Sequence, residues 1–104
     1  MSVLLELTMF PTDKGESVSK YVSEVIKVIK DSGYPYVLTP MGTIIEFDNF
    51  EEATNLLNKC YKALEPYSNR IYAVCKFDIR KGKSNRLKQK IESVRKYIKN
   101  VQSI

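Results

Sequence analysis

The order of hydrophobic periods along the chain predicts an α+β fold, β-α-β-β-α-β followed by one more helix. Three observations predict it. Stretches 3–10 and 71–80 alternate apolar and polar residues with a period of two, the mark of half-buried strands. Two stretches with helical spacing lie between them. Between those helices sits Tyr36-Val37-Leu38-Thr39-Pro40-Met41-Gly42-Thr43-Ile44-Ile45-Glu46-Phe47, two β-rich runs separated by Pro40-Met41-Gly42, which reads as a hairpin.

In the first strand Leu5, Leu7 and Met9 take one face, and Glu6, Thr8 and Phe10 the other. Pro11 to Gly15 is a loop by its turn residues. Ser17 is the expected N-cap of the first helix, whose stripe is Val18, Tyr21, Val22, Val25, Ile26 and Ile29. Gly33 and Pro35 end it. In the hairpin, Pro40 cannot donate to a ladder and Gly42 tolerates unusual backbone angles, so the chain reverses there. Asp48 or Asn49 caps the second helix, with Glu51 and Glu52 in its dipole-favoured first turn. Its stripe is Phe50, Ala53, Leu57, Cys60 and Leu64, with Leu56 and Tyr61 at the edges, and Pro66 ends it. The last strand sets Ile71, Ala73, Cys75, Phe77 and Ile79 against Tyr72, Val74, Lys76, Asp78 and Arg80. The final helix, expected over 84–100, turns Leu87, Ile91, Val94, Ile98 and Val101 inward.

Two split β-α-β units are satisfied by an antiparallel four-stranded sheet with both helices on one face, the ferredoxin-like arrangement. At 104 residues, 1–104 is one such domain. The apolar strand faces meet the helices, and the other faces are left open. Both cysteines, Cys60 and Cys75, are expected as small buried apolar residues.

Composition narrows the function. The chain has no histidine, so the commonest general base and metal ligand is missing, and its four glycines form no phosphate loop. That argues against an enzyme. No apolar run reaches the roughly 20 residues that cross a bilayer, and Met1-Ser2 leads directly into a strand rather than a signal peptide. A cytoplasmic protein without membrane contact is expected. The net charge of +5 is uneven: residues 81–104 hold eight Lys or Arg and one Glu, whereas residues 1–80 hold nine basic and eleven acidic side chains.

The open face carries Glu6 and Thr8, then Tyr72, Val74, Lys76, Asp78 and Arg80, with Glu46, Ile44 and one hairpin threonine. Cross-strand pairs such as Glu6 with Lys76 or Arg80 explain some of it as a solvated surface. Its apolar members, Phe10, Ile44, Tyr72 and Val74, suit contact with another sheet, and polar groups enclosed there would form a small-molecule pocket.

Met41-Gly42-Thr43-Ile44-Ile45-Glu46, Lys76-Phe77-Asp78-Ile79-Arg80 and Lys90-Ile91-Glu92-Ser93-Val94 together resemble the MTH1187/YkoF-like thiamine-binding protein family, formerly an uncharacterised conserved family. The resemblance covers essentially the whole chain, including Pro11 and Ser17-Val18-Ser19. One departure is Phe47, where the family commonly has glycine after the hairpin glutamate. The resemblance implies a ferredoxin-like subunit that assembles through its sheets, usually as a homotetramer. It also implies binding of thiamine or its hydroxymethylpyrimidine moiety at the sheet and subunit interface, without chemistry and without a cofactor. The candidate ligand-binding residues are Glu6, Thr8, Thr39, Met41, Thr43, Glu46 and Asp78. Carboxylates and hydroxyls suit the amine and ring nitrogens of an aminopyrimidine, and Met41 suits a flat ring. No catalytic or metal-binding residue is expected.

The alternative is an RNA- or DNA-binding module using the basic C-terminal helix. RNA-reading sheets need aromatics at set places on two central strands. Here Phe77 falls on the core side, and the first strand offers an acid and a threonine to the open side. Those placements argue against nucleic acid.

Overall fold

The computed structural model describes residues 1–103, apart from the Lys90 side chain. The last residue of the expected 1–104 domain lies outside the described residues. The elements are β1 (Ser2–Pro11), α1 (Ser19–Ser32), β2 (Tyr36–Thr39), β3 (Gly42–Phe47), α2 (Phe50–Leu64), β4 (Ile71–Arg80) and α3 (Arg86–Arg95). The strands form one antiparallel sheet in the order β2-β3-β1-β4. This is the expected ferredoxin-like topology, with β1 central and paired to both β3 and β4.

Cross-strand register fixes which side chains share a face. Leu5 lies between Ile45 and Phe77, and Leu7 between Thr43 and Cys75. These residues face α1 and α2, where Val3, Leu5, Ile29, Ile45, Phe47, Cys60 and Leu64 are at most 1 % exposed. Burying a side chain of that size contributes about 1.5–3 kcal/mol, so this layer dominates folding. On α2 the buried stripe is Ala53, Leu56, Cys60 and Leu64, with Leu57 flanking it. The inward stripe therefore runs through Leu56, one position from where the sequence spacing sets it.

Helix ends follow local chemistry in two cases and depart from it in one. The Asn49 side chain accepts the Glu52 amide at 2.9 Å, while the Asp48 amide reaches back to the Glu52 carboxylate at 3.4 Å. Gly33, at φ 82°, ends α1 in the left-handed region where a Cβ would be strained. The start of α1 differs from expectation. Ser17 stays exposed and does not cap, and the helix opens after Val18, which is half-buried and whose carbonyl accepts the Tyr21 and Val22 amides.

The remaining corrections concern the chain's final third. The expected core side of β4 is only partly covered, because α1 and α2 pack on each other and on β1 and β3. Ala73, Cys75 and Ile79 are exposed, so Cys75 is not the buried thiol that its alternation suggests, whereas Cys60 is. The final helix ends at Arg95, and Asn100 at φ 60° turns the chain. Ile98 therefore lies outside the helix, 58 % exposed, while Val101 comes back half-buried.

Candidate functional site

The open face does not stay open. The alternation that buries Val3, Leu5, Leu7 and Met9 presents Ser2, Leu4, Glu6, Thr8 and Phe10 to the other side. Register adds Val37 and Thr39 from β2, Ile44 and Glu46 from β3, and Tyr72 to Arg80 in alternation from β4. Helix α3 lies across the β3–β1 part of this surface.

A polar clasp anchors the helix. The first amides of a helix have no partner inside it, and here one carboxylate takes two of them. The Arg86 amide donates to Glu46 Oε2 at 2.9 Å, and the Leu87 amide donates to Oε1 at 3.1 Å. Ser2 Oγ also donates to Glu46 Oε2. Burial pushes the Glu46 carboxyl upward, but these three bonds and the Arg86 charge outweigh it and hold the group below its ordinary value. Arg86 is itself 8 % exposed. Its Nε donates to Ser2 Oγ at 3.1 Å, its Nη2 to the carbonyls of Ser2 and Asp78, and its Nη1 pairs with Asp78 Oδ2 at 2.8 Å.

Beyond the clasp, α3 and the returning tail roof a cavity of about 620 Å³. Leu4, Val37 and Ile44 form its floor, and Leu87, Ile91, Val94 and Val101 its roof. Glu6, Thr39, Lys76, Asp78, Gln102 and Ser103 supply the polar groups. Glu6 pairs with Lys76 across the β1–β4 ladder at 3.2 Å, and Arg95 Nη2 donates to Ser103 Oγ at 2.8 Å, drawing the tail toward the helix. With both lining cations beside lining acids, the charges balance. An apolar slot with a few convergent polar groups suits a flat heterocycle.

The candidate residues are divided among three places. Glu6, Thr39 and Asp78 line this cavity. Thr8, Met41 and Thr43 line a second recess of about 280 Å³ between the hairpin turn and α1, which Thr39 also borders. There Thr8 Oγ1 donates to the Met41 carbonyl at 3.0 Å, and Thr39 Oγ1 donates to the Gly42 carbonyl at 2.7 Å. Gly42 is required at this turn, since a Cβ would stand 3.0 Å from Thr8 Oγ1 and 3.1 Å from the Leu7 carbonyl. Thr43 points to the core side and is buried, while Met41 is 84 % exposed at the tip. Glu46 lines neither hollow, its carboxylate being turned to the start of α3.

Sequence reasoning did not single out Ser2 or Arg86. Arg86 sits in a run of basic residues that reads as solvated, and no local spacing marks it. The usable signal was Glu46: an acid ending an apolar strand needs donors, and the +7 segment is where donors are plentiful. Among the described residues no three His, Cys, Asp or Glu side chains gather in a metal-binding group. No helix among them is long and apolar enough to cross a membrane.

Fold and cavity together define a ferredoxin-like α+β domain with a roofed apolar slot on the face opposite its two core helices. The chain belongs to the thiamine-binding protein family, whose profile matches residues 5–95. It is 35 % identical over 98 residues to UPF0045 protein Mb1933 of Mycobacterium bovis, covering 94 % of this chain and 96 % of that one. It is 30 % identical to a UPF0045 protein of Methanothermobacter thermautotrophicus, covering 92 % and 99 %. Among solved structures, hypothetical protein MJ1052 of Methanocaldococcus jannaschii superposes with a TM-score of 0.81 at 29 % identity, covering 89 % of this chain and 95 % of that one. A Thermotoga maritima protein provisionally assigned to thiamine biosynthesis or salvage gives 0.75 at 21 % identity, covering 93 % and 99 %, a likeness of fold.

Proposed function

We propose that this protein binds thiamine, or its hydroxymethylpyrimidine moiety, reversibly and without chemistry in the slot between the open sheet face and α3. The observation that carries the reading is the roofed apolar slot in a chain of the thiamine-binding family. Leu4, Val37 and Ile44 offer a flat floor for an aromatic ring, with Leu87 and Ile91 above it. The Glu6 carboxylate and Thr39 hydroxyl are the acceptors for the exocyclic amine and ring nitrogens. Asp78 and Glu6 stand in the lining as carboxylates that a thiazolium would share with Arg86 and Lys76. Glu46 acts indirectly, by fixing the roof. The protein works as a cytoplasmic homotetramer, its exposed Tyr72, Val74 and Ile79 supplying apolar contact area. The basic helix is read as a solvated face and not as a nucleic-acid surface: Lys88 and Lys96 are exposed, as on the polar side of a surface helix.

Calorimetric titration of ligand-free protein tests the ligand. Saturable heat with thiamine, lost on Ile44→Arg and reduced about tenfold or more in affinity on Glu6→Gln, is the expected result. Equal heats from the parent and Ile44→Arg would place the ligand elsewhere. Sedimentation at a mass of four 12.0 kDa chains is expected for the assembly.

A further inference from the structure

Among the described residues, all but one of the polar side chains lining the slot are already engaged. Lys76 pairs with Glu6 at 3.2 Å, and Arg86 with Asp78 at 2.8 Å. Thr39 Oγ1 donates to the Gly42 carbonyl at 2.7 Å and accepts the Met41 amide at 3.2 Å. Ser103 Oγ accepts from Arg95 Nη2 at 2.8 Å. Gln102 is the exception: it borders the slot, yet its carboxamide has no hydrogen-bond partner among the described residues. It is carried by the segment after α3, where residues 96–103 belong to no helix or strand. Asn100, at φ 60°, turns this segment back, and Val101 returns half-buried into the slot lining. The Arg95–Ser103 bond then ties it to the last turn of α3. So slight a hold makes the segment a strap that can lift and close without disturbing the sheet.

We propose that Gln102 is the specificity-determining residue of the slot, its carboxamide closing with the strap 96–103 onto a ring edge that sets a hydrogen-bond donor beside an acceptor.

The role rests on the ligand reading above and adds to it the group that selects among ligands. A carboxamide offers an acceptor oxygen and a donor N–H side by side in one plane. The amine and the neighbouring ring nitrogen of an aminopyrimidine present the complementary pair, so the two meet through two parallel hydrogen bonds, as a side-chain amide does on adenine. The other lining groups suit that edge less well. Glu6 only accepts, and Thr39 has given its hydrogen to the Gly42 carbonyl, so neither serves a ring nitrogen that is itself an acceptor. Lys76 and Arg86 can donate but are held by carboxylates. Gln102, being neutral, also leaves the charge balance of the lining unchanged. Closure sharpens the choice, since an edge that cannot answer the carboxamide leaves it unpaired beneath the strap. Gln102 lies outside residues 5–95, the part that the family profile matches, so family membership does not supply this contact.

Calorimetric titration of the full chain tests the role with two probes, thiamine and the analogue that carries hydrogen in place of the exocyclic amine. The parent should prefer thiamine. Gln102→Met keeps the length of an exposed side chain and removes its donor and acceptor. It should weaken thiamine about tenfold while leaving the analogue within about threefold, so the preference shrinks. Arg95→Met, which unties Ser103 without touching the carboxamide, should weaken both probes alike and keep the preference. Equal thiamine affinity in the parent and Gln102→Met, or the same loss for both probes, would overturn the role of Gln102 while leaving the ligand reading intact. No saturable heat with thiamine in the parent would overturn both.

Discussion

On one face of the sheet, α1 and α2 are held by apolar side chains with almost no exposure, from Val3 and Leu5 in the strands to Ile29, Cys60 and Leu64 in the helices. On the other, α3 is fastened at its first turn by Glu46, Ser2 and Arg86 and then rests on Leu4, Val37 and Ile44 with space between. The first contact is broad and non-directional, so losing any part of it affects the whole domain. The second is narrow and directional. A helix held at one end by a few hydrogen bonds is a roof whose removal need not unfold the domain beneath.

The largest expected effect is on the first face. Leu5→Ala, between Ile45 and Phe77, should lower stability by about 2–5 kcal/mol in urea unfolding. Arg86→Met should cost about 1–3 kcal/mol, and its mark should be local: hydrogen exchange speeds at the amides of 86–95 while β1 and β3 stay protected. Uniform loss of protection would show that α3 is integral to the core and would erase the contrast between the faces.

Glu46→Gln should follow at about 1–2 kcal/mol near neutral pH, through lost charge assistance. Its sign with pH is set by a folded-state value below the ordinary 4.5. The carboxylate's contribution is fully present above that ordinary value and fades as pH falls through the lowered one. The stability gap between parent and Glu46→Gln should therefore close in acid, and a gap constant with pH would mean that charge has no part in the clasp. Asn49→Ala should cost about 1 kcal/mol, confined to the start of α2. The smallest effect is expected from Lys88→Glu with Lys96→Glu, within about 0.5 kcal/mol and with thiamine affinity unchanged. RNA binding with a steep salt dependence that the pair abolishes would favour the nucleic-acid alternative.

The same contrast governs what the sequence reveals. Period-two and helical stripes report burial against a broad surface, and for that reason the strand order and the α1 and α2 cores were readable from residues alone. The Glu6–Lys76 pair was also readable, since alternation places both on the open face. How little of the helix side of β4 is covered was not readable, because periodicity gives the face of a residue but not whether a helix reaches it; Cys75 and Ile79 are exposed for that reason. Nor was the clasp, since Glu46 and Arg86 are forty residues apart in sequence. Nothing in the spacing of Leu87 and Ile91 shows that they roof a slot rather than seal a core. Which hairpin threonine joins Ile44 and Glu46 on the open face was left to the register of the turn: Thr39 lies there, and Thr43 faces the core.

The central claim is that thiamine enters beneath α3, and amide chemical-shift mapping during a thiamine titration tests it most directly. The account predicts saturable shifts at Leu4, Glu6, Val37, Ile44, Leu87 and Ile91, with Met9, Val22 and Met41 of the hairpin recess unmoved. Shifts confined to the recess, or no shifts at saturating thiamine, would contradict it.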